Sequence, residues 1–252
     1  MGVRKVEVKT PDGTAEAEFY CPDGSGPWPG ITVYTDILGL RPASRDVAKG
    51  FSAEGYCALL PNLFYRESNM PIFPFQPAFG EEKTMARVGE LRKSLDTEAA
   101  YKDGVVYADF LLAQPEVKKP VVGVVGYCMG GTMAIRAAGA TGATGAALDK
   151  IGAAASFHGG NLVTDAPDSP HLLAPKIKAR LLFGWAVEDR TMPPEAIEKL
   201  KSALDAAGVR YEGEVYEGAR HGWTMSDHRV YNQAQAMRAW TKTVAFFKDA
   251  LK

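Results

Sequence analysis

The sequence predicts an α/β domain: a mostly parallel, doubly wound sheet flanked by helices, with an antiparallel hairpin at its N-terminal end. Three observations carry that prediction. Short apolar, β-branched runs alternate with helix-patterned segments from residue 30 onward, the signature of strand–helix–strand units. Residues 3–9 (VRKVEVK) and 15–20 (AEAEFY) instead alternate apolar and polar positions about a Pro-Asp-Gly turn, as a hairpin does. Finally, residues 121–131 (VVGVVGYCMGG) run from a buried strand straight into a glycine-bracketed turn that opens a helix.

After the hairpin, 22–30 is a turn-rich connector and 31–34 a buried strand that delivers the loop TDILGL at its C-terminal end. In open α/β sheets ligands gather outside those ends. Residues 45–54 have helical spacing, Gly55 caps them, and 56–60 form the next strand before Pro61 stops it. Residues 61–95 hold too many prolines for a regular element yet are rich in aromatics, so they read as a long loop packed over the domain near the site. A helix follows at 96–112, then the 121 strand, a helix over 132–140, and a small-residue connector, ATGATGAA. The remaining strands are 151–157, 178–185 and 211–216, with helices at 195–207 and 227–250. No repeat or linker interrupts the pattern, so residues 1–252 read as one domain.

Composition narrows the class of function. A formal net charge of −1 with no long basic run gives no sign of nucleic-acid binding. The start, MGVRKVEVKTPDG, has no signal-peptide pattern, and no run of about 18 apolar residues could span a bilayer. A cytoplasmic protein without membrane partners is expected. Three cysteines, none spaced as a metal cluster, suggest neither a disulfide framework nor a metal site; Cys21 and Cys57 read as inert, Cys57 as a small buried hydrophobe.

Cys128 differs from them. Gly126-Tyr127-Cys128-Met129-Gly130 has the spacing of a nucleophile elbow, which lifts one side chain above the sheet edge. Its place at a helix N-terminus favours thiolate. Such a nucleophile needs a base, and the base an acid to orient it. Of the four histidines, His221 hangs after the 211–216 strand at the edge where the elbow opens. His158 ends the neighbouring strand and is its rival, while His171 and His228 are expected to be exposed. The order nucleophile, acid, histidine favours His221 as base and Asp189, before the turn Arg190-Thr191-Met192-Pro193, as acid. Glu188 is the other carboxylate there, expected to be solvated or ion-paired. The elbow supplies one oxyanion donor, Met129 N–H, and the loop after the 31–34 strand a second, Ile37 N–H.

The elbow, the loop Tyr34-Thr35-Asp36-Ile37-Leu38-Gly39, Gly55-Tyr56 with Pro61-Asn62-Leu63, Asp189, and the stretch Glu217-Gly218-Ala219-Arg220-His221-Gly222-Trp223 together resemble the dienelactone hydrolases, a branch of the α/β-hydrolases. The likeness runs over nearly the whole chain. It implies the α/β-hydrolase fold, a Cys128–His221–Asp189 triad, no cofactor and no metal, and hydrolysis of a lactone through an acyl-enzyme; the best-known members open dienelactone to maleylacetate during breakdown of chlorinated aromatics. In the family a glutamate at the position of Asp36 holds the resting thiol, which assigns that part to Asp36. The family's two carboxylate-binding arginines fall where this chain has Met225 and Met85, so Arg87 and Arg92 are the nearest cations. His158 and Trp223 complete the candidate substrate-binding residues. Phe73, Phe75 and Phe79 point to a larger or more apolar substrate.

The expected activity is therefore cleavage of a lactone or carboxylic ester. A general carboxylesterase or thioesterase on neutral acyl substrates, or a redox-reactive or ligand-binding thiol that does not hydrolyse, are the alternatives. The only expected partner is a small-molecule ester or lactone substrate. The closing helix has apolar residues enough for its own core, so a monomer or weak homodimer is expected.

Overall fold

The computed structural model describes residues 2–140 and 149–252, so most of the ATGATGAA connector lies outside the described residues. The hairpin forms as expected from β1 (Gly2–Thr10) and β2 (Gly13–Cys21). There follow β3 (Gly30–Tyr34), α1 (Pro42–Ala53), β4 (Cys57–Pro61), α2 (Glu82–Leu91), α3 (Thr97–Ala113), β5 (Val122–Tyr127) and α4 (Met129–Ala138). The chain closes with β6 (Ile151–Phe157), a 3-10 turn (Pro170–Lys176), β7 (Arg180–Glu188), α5 (Pro194–Ala206), β8 (Tyr211–Arg220) and α6 (Gln233–Ala250).

These strands make one eight-stranded sheet in the order β1-β2-β4-β3-β5-β6-β7-β8. The hairpin joins it antiparallel through β2 and β4; every pairing from β4 to β8 is parallel. β3, β4 and β5 are buried at every position, because helices cover both faces and leave no side for alternation to record. One core lies beneath α3, α4 and α5, around Leu59, Val124, Ala154 and Leu181; the other lies beneath α1 and α6, around Val33, Val125, Ala155 and Phe247.

Several boundaries depart from the sequence reading. The proline-rich stretch gives way to a helix at Glu82, whose Thr84, Val88 and Leu91 turn inward at a spacing of four and three; the prolines end at Pro77, before that pattern begins. Phe64, Ile72 and Phe73 of the same stretch pack with Ile37 and Leu38, so it roofs the loop after β3. α6 starts at Gln233 rather than 227: Asn232 caps it by accepting from Gln235 N–H, while Asn232 N–H donates to the Trp223 carbonyl. Its Phe246 and Phe247 are buried, and Trp240 packs on Phe51. His171 and His228 are not exposed: His171 is buried within the 3-10 turn, and the His228 side chain is 9% exposed. Cys21 and Cys57 are not bland single thiols, since they pair in a disulfide at the ends of the adjacent strands β2 and β4. Only strand register brings them together, across 36 residues. No described helix is long and apolar enough to cross a membrane.

Candidate active site

β5 ends at Tyr127, and the chain turns sharply into α4 through Cys128, at φ 55° and ψ −120°. That backbone lies in a region side chains rarely adopt, and such strain persists where the surroundings over-determine it. The neighbouring glycines are required by contact: a Cβ on Gly126 would stand 1.9 Å from the Gly130 carbonyl oxygen, and one on Gly130 would stand 2.4 Å from the Tyr34 and Thr35 carbonyls. Cys128 is the one free cysteine among the described residues.

The ends of three strands bring three side chains into line. His221, just beyond β8, places Nε2 3.0 Å from the Cys128 Sγ at the end of β5. Its Nδ1–H donates to Asp189 Oδ2, just beyond β7, at 2.7 Å. The other Asp189 oxygen accepts from Thr191 N–H at 2.9 Å and from the Thr191 hydroxyl at 2.6 Å, which fixes the carboxylate. Burial alone would lower the His221 pKa, but the hydrogen bonds to Asp189 and Cys128 and the charges of both outweigh it, and the value is pushed up to about 10. Burial alone would raise the Asp189 pKa; the His221 and Thr191 bonds prevail and hold it below the ordinary carboxylate value. The imidazolium beside the sulfur is thereby favoured at neutral pH.

These side chains border a cleft of about 900 Å³, together with Ile37 and Met129. Ile37 lies in the loop after β3, the strand that pairs with β5 as far as Tyr34 and Gly126. The cleft's outer wall comes from Phe79, Met85, Arg92 and Leu95, all within the 61–95 stretch. Arg92 and Arg190 have no side-chain partner among the described residues, whereas Arg136 is held by the carbonyl and carboxylate of Asp168. Among the described residues no group of three His, Cys, Asp or Glu side chains is placed to hold a metal ion.

Other expected residues lie elsewhere. Asp36 is wholly buried and does not reach toward the thiol: Arg41 binds both its oxygens, at 2.7 and 2.8 Å, and Leu38 N–H donates to Oδ1. Arg41 also grips Asp227, six residues after His221, so it joins the loop after β3 to the loop after β8. Arg87 is spent on the Ile72 carbonyl, Ser68 and Glu90, holding the roof rather than facing the cleft. His158 and Trp223 are completely buried beneath the elbow and do not line the cleft. Glu188, as expected, is exposed and pairs with Arg220. Phe79 reaches the cleft, but Phe73 is buried against Phe75.

Sequence reasoning missed Arg41, Thr191 and Arg190. Thr191, two residues after an aspartate in a turn, carried a local signal, because a short hydroxyl there commonly bonds back to the carboxylate. Arg41 carried none, since its partners Asp36 and Asp227 lie on separate loops.

A sequence model described as the Dienelactone hydrolase family matches residues 15–251. A Synechocystis protein named a carboxymethylenebutenolidase is 30% identical over 237 residues, covering 92% of this chain and 90% of its own length. Among solved structures, a dienelactone hydrolase from Klebsiella pneumoniae matches with a TM-score of 0.84 at 21% identity over 98% of both chains. A dienelactone hydrolase-like promiscuous phosphotriesterase from metagenomic libraries matches with a TM-score of 0.78 at 23% identity, over 99% of this chain and 98% of its own. At those identities the two structures speak for the fold, that of the α/β-hydrolases.

Proposed function

This chain belongs to the dienelactone hydrolase family, hydrolases that act on ester bonds, and on that premise we propose that Cys128, His221 and Asp189 cleave a lactone or carboxylic ester through an acyl-enzyme. The observation that carries the reading is the unbroken line from sulfur to carboxylate, 3.0 Å and then 2.7 Å, at the floor of the cleft. Cys128 sulfur attacks the carbonyl carbon. The oxyanion is received by the N–H groups of Ile37 and Met129, neither of which is spent on a loop or cap hydrogen bond among the described residues. His221 gives its proton to the leaving oxygen, which breaks the ester bond; in a lactone this opens the ring and leaves the product attached as a thioester. His221 then takes a proton from water, whose oxygen displaces the sulfur and releases the carboxylic acid. Asp189 holds the ring and its positive charge throughout.

Arg92 and Arg190, which line the cleft without side-chain partners among the described residues, support a substrate bearing a carboxylate. The opposite reading, a neutral acyl ester or thioester, draws support from the apolar wall of Ile37, Phe79, Met85 and Leu95.

Steady-state hydrolysis of a dienelactone beside a neutral aryl ester, with Cys128→Ser and His221→Ala controls, tests both. Preference for the lactone, lost on Arg190→Gln, supports anion recognition. Preference for the neutral ester keeps the triad and moves the substrate class. Turnover that survives Cys128→Ala would sink the mechanism.

A further inference from the structure

His158 is a buried histidine that the proposed chemistry does not use, and its surroundings are unusual in three ways. Its backbone has φ +39°, in the region that favours glycine, yet the position holds a large side chain. Its ring lies beneath the elbow, where Nδ1 accepts a hydrogen bond from Cys128 N–H at 3.0 Å, a donor shared with the Phe157 carbonyl. On its far side Nε2 meets the Thr224 hydroxyl at 2.7 Å, and Thr224 stands three residues after His221 on the same loop. Because Nδ1 accepts, a neutral ring carries its proton on Nε2 and donates it to Thr224. The bonds therefore form a strut, Cys128 N–H to His158 to Thr224, parallel to the contact between Cys128 Sγ and His221.

We infer that His158 is a positioning residue that, through Thr224, holds the elbow and the His221 loop at the spacing the sulfur and imidazole require. The inference rests on the proposed triad and adds a support to it that touches neither substrate nor reacting atoms. The two halves of the site come from strands separated by β6 and β7, so no backbone ladder joins Cys128 directly to His221. His158 spans that gap from β6, with its own N–H donating to the Gly184 carbonyl of β7. A strut of this kind works only with an uncharged ring, since a proton on Nδ1 would confront the Cys128 N–H. Burial, and then the positive charges of His221 and His228, hold the His158 pKa well below its ordinary value. The His221 ring lies with its centroid 5.2 Å away.

Three variants separate the strut from simple core filling. Asparagine can present an oxygen where Nδ1 stands but cannot reach Thr224, so His158→Asn cuts one end of the link. Thr224→Val cuts the other at almost no change in shape, beside a groove lined by Tyr127, Phe157 and Trp240 that accepts a methyl group. Thr224→Ser keeps the hydroxyl. The measurements are kcat and KM for an aryl ester and the rate of alkylation by iodoacetamide at neutral pH, on variants whose circular dichroism matches the wild type. Small misplacements of reacting groups cost up to about a hundred-fold, so Thr224→Val and His158→Asn are expected to lower kcat and alkylation about tenfold, with KM within about twofold, and Thr224→Ser to restore both. Should His158→Asn fail to fold, Thr224→Val decides alone. Both rates staying within about twofold of wild type in folded Thr224→Val would overturn the strut and leave the triad standing. A wild-type thiol no more reactive than free cysteine, with no ester turnover, would instead overturn the triad, and the strut with it.

Discussion

Arg41→Met is the perturbation whose cost the structure specifies most fully. The Arg41 side chain is 8% exposed and its partner Asp36 1%, so removing the guanidinium strands a carboxylate inside the protein, left with Leu38 N–H at 2.9 Å and the His228 ring at 3.4 Å. Breaking a buried pair from one side in this way costs about 3 to 5 kcal/mol. Asp227, 40% exposed, is solvated by water once released and adds little. For a chain of this size each kcal/mol moves the melting temperature by about 2 to 4 °C, so Tm should fall by about 6 to 20 °C. The diagnostic is the double variant. Asp36→Asn removes the stranded charge while its amide oxygen still accepts from Leu38, so Asp36→Asn/Arg41→Met should lose clearly less than the sum of the two single changes, with a coupling of about 1 to 3 kcal/mol. Urea unfolding of the four proteins at pH 7 reads this directly. Because Asp36 precedes Ile37, the single variant's kcat should also fall, by about tenfold. Stability within about 1 kcal/mol of wild type for Arg41→Met, or strictly additive losses in the double variant, would refute the view that this pair locks the loop.

Asp189→Asn should keep the fold, since the amide still fits between His221 and Thr191, but lower kcat by about a hundred-fold or more through loss of the charge that steadies the imidazolium; pH titration should also show the His221 pKa falling from its value of about 10. Stability should weaken in acid on account of His158: its folded pKa is depressed, so below about 6.5 the unfolded chain binds the extra proton, and stability present above that pH is lost as pH falls, by up to about 1.4 kcal/mol per unit. Urea melts of His158→Asn between pH 7 and 5 should show a shallower slope than wild type; equal slopes would mean that His158 does not contribute. Gly126→Ala, whose methyl would stand 1.9 Å from the Gly130 carbonyl oxygen, should abolish activity and lower Tm more than an alanine at the open Gly89, as a thermal melt of the pair would reveal.

Much of this protein is written locally in its chain. The period of two in residues 3–20 made the hairpin, and the β-branched runs made the buried parallel strands. The glycines about Cys128 made the elbow, because a Cβ at Gly126 or Gly130 would collide with backbone whatever surrounds it. Residue order also brings His221 and Asp189 to Cys128, since parallel strands point their C-terminal ends to one edge and any residue just beyond them arrives there. What the chain could not record was pairing between loops and between strands far apart in sequence. Asp36 turned to Arg41 rather than to the thiol because Arg41, held also by Asp227, fills the space between two loops. Cys21 met Cys57 through strand register, and His158 went under the elbow instead of into the cleft, where its ring meets Cys128 N–H and the Thr224 hydroxyl. A side chain's partner is fixed by direction and depth, and these exist only once the strands have been laid side by side.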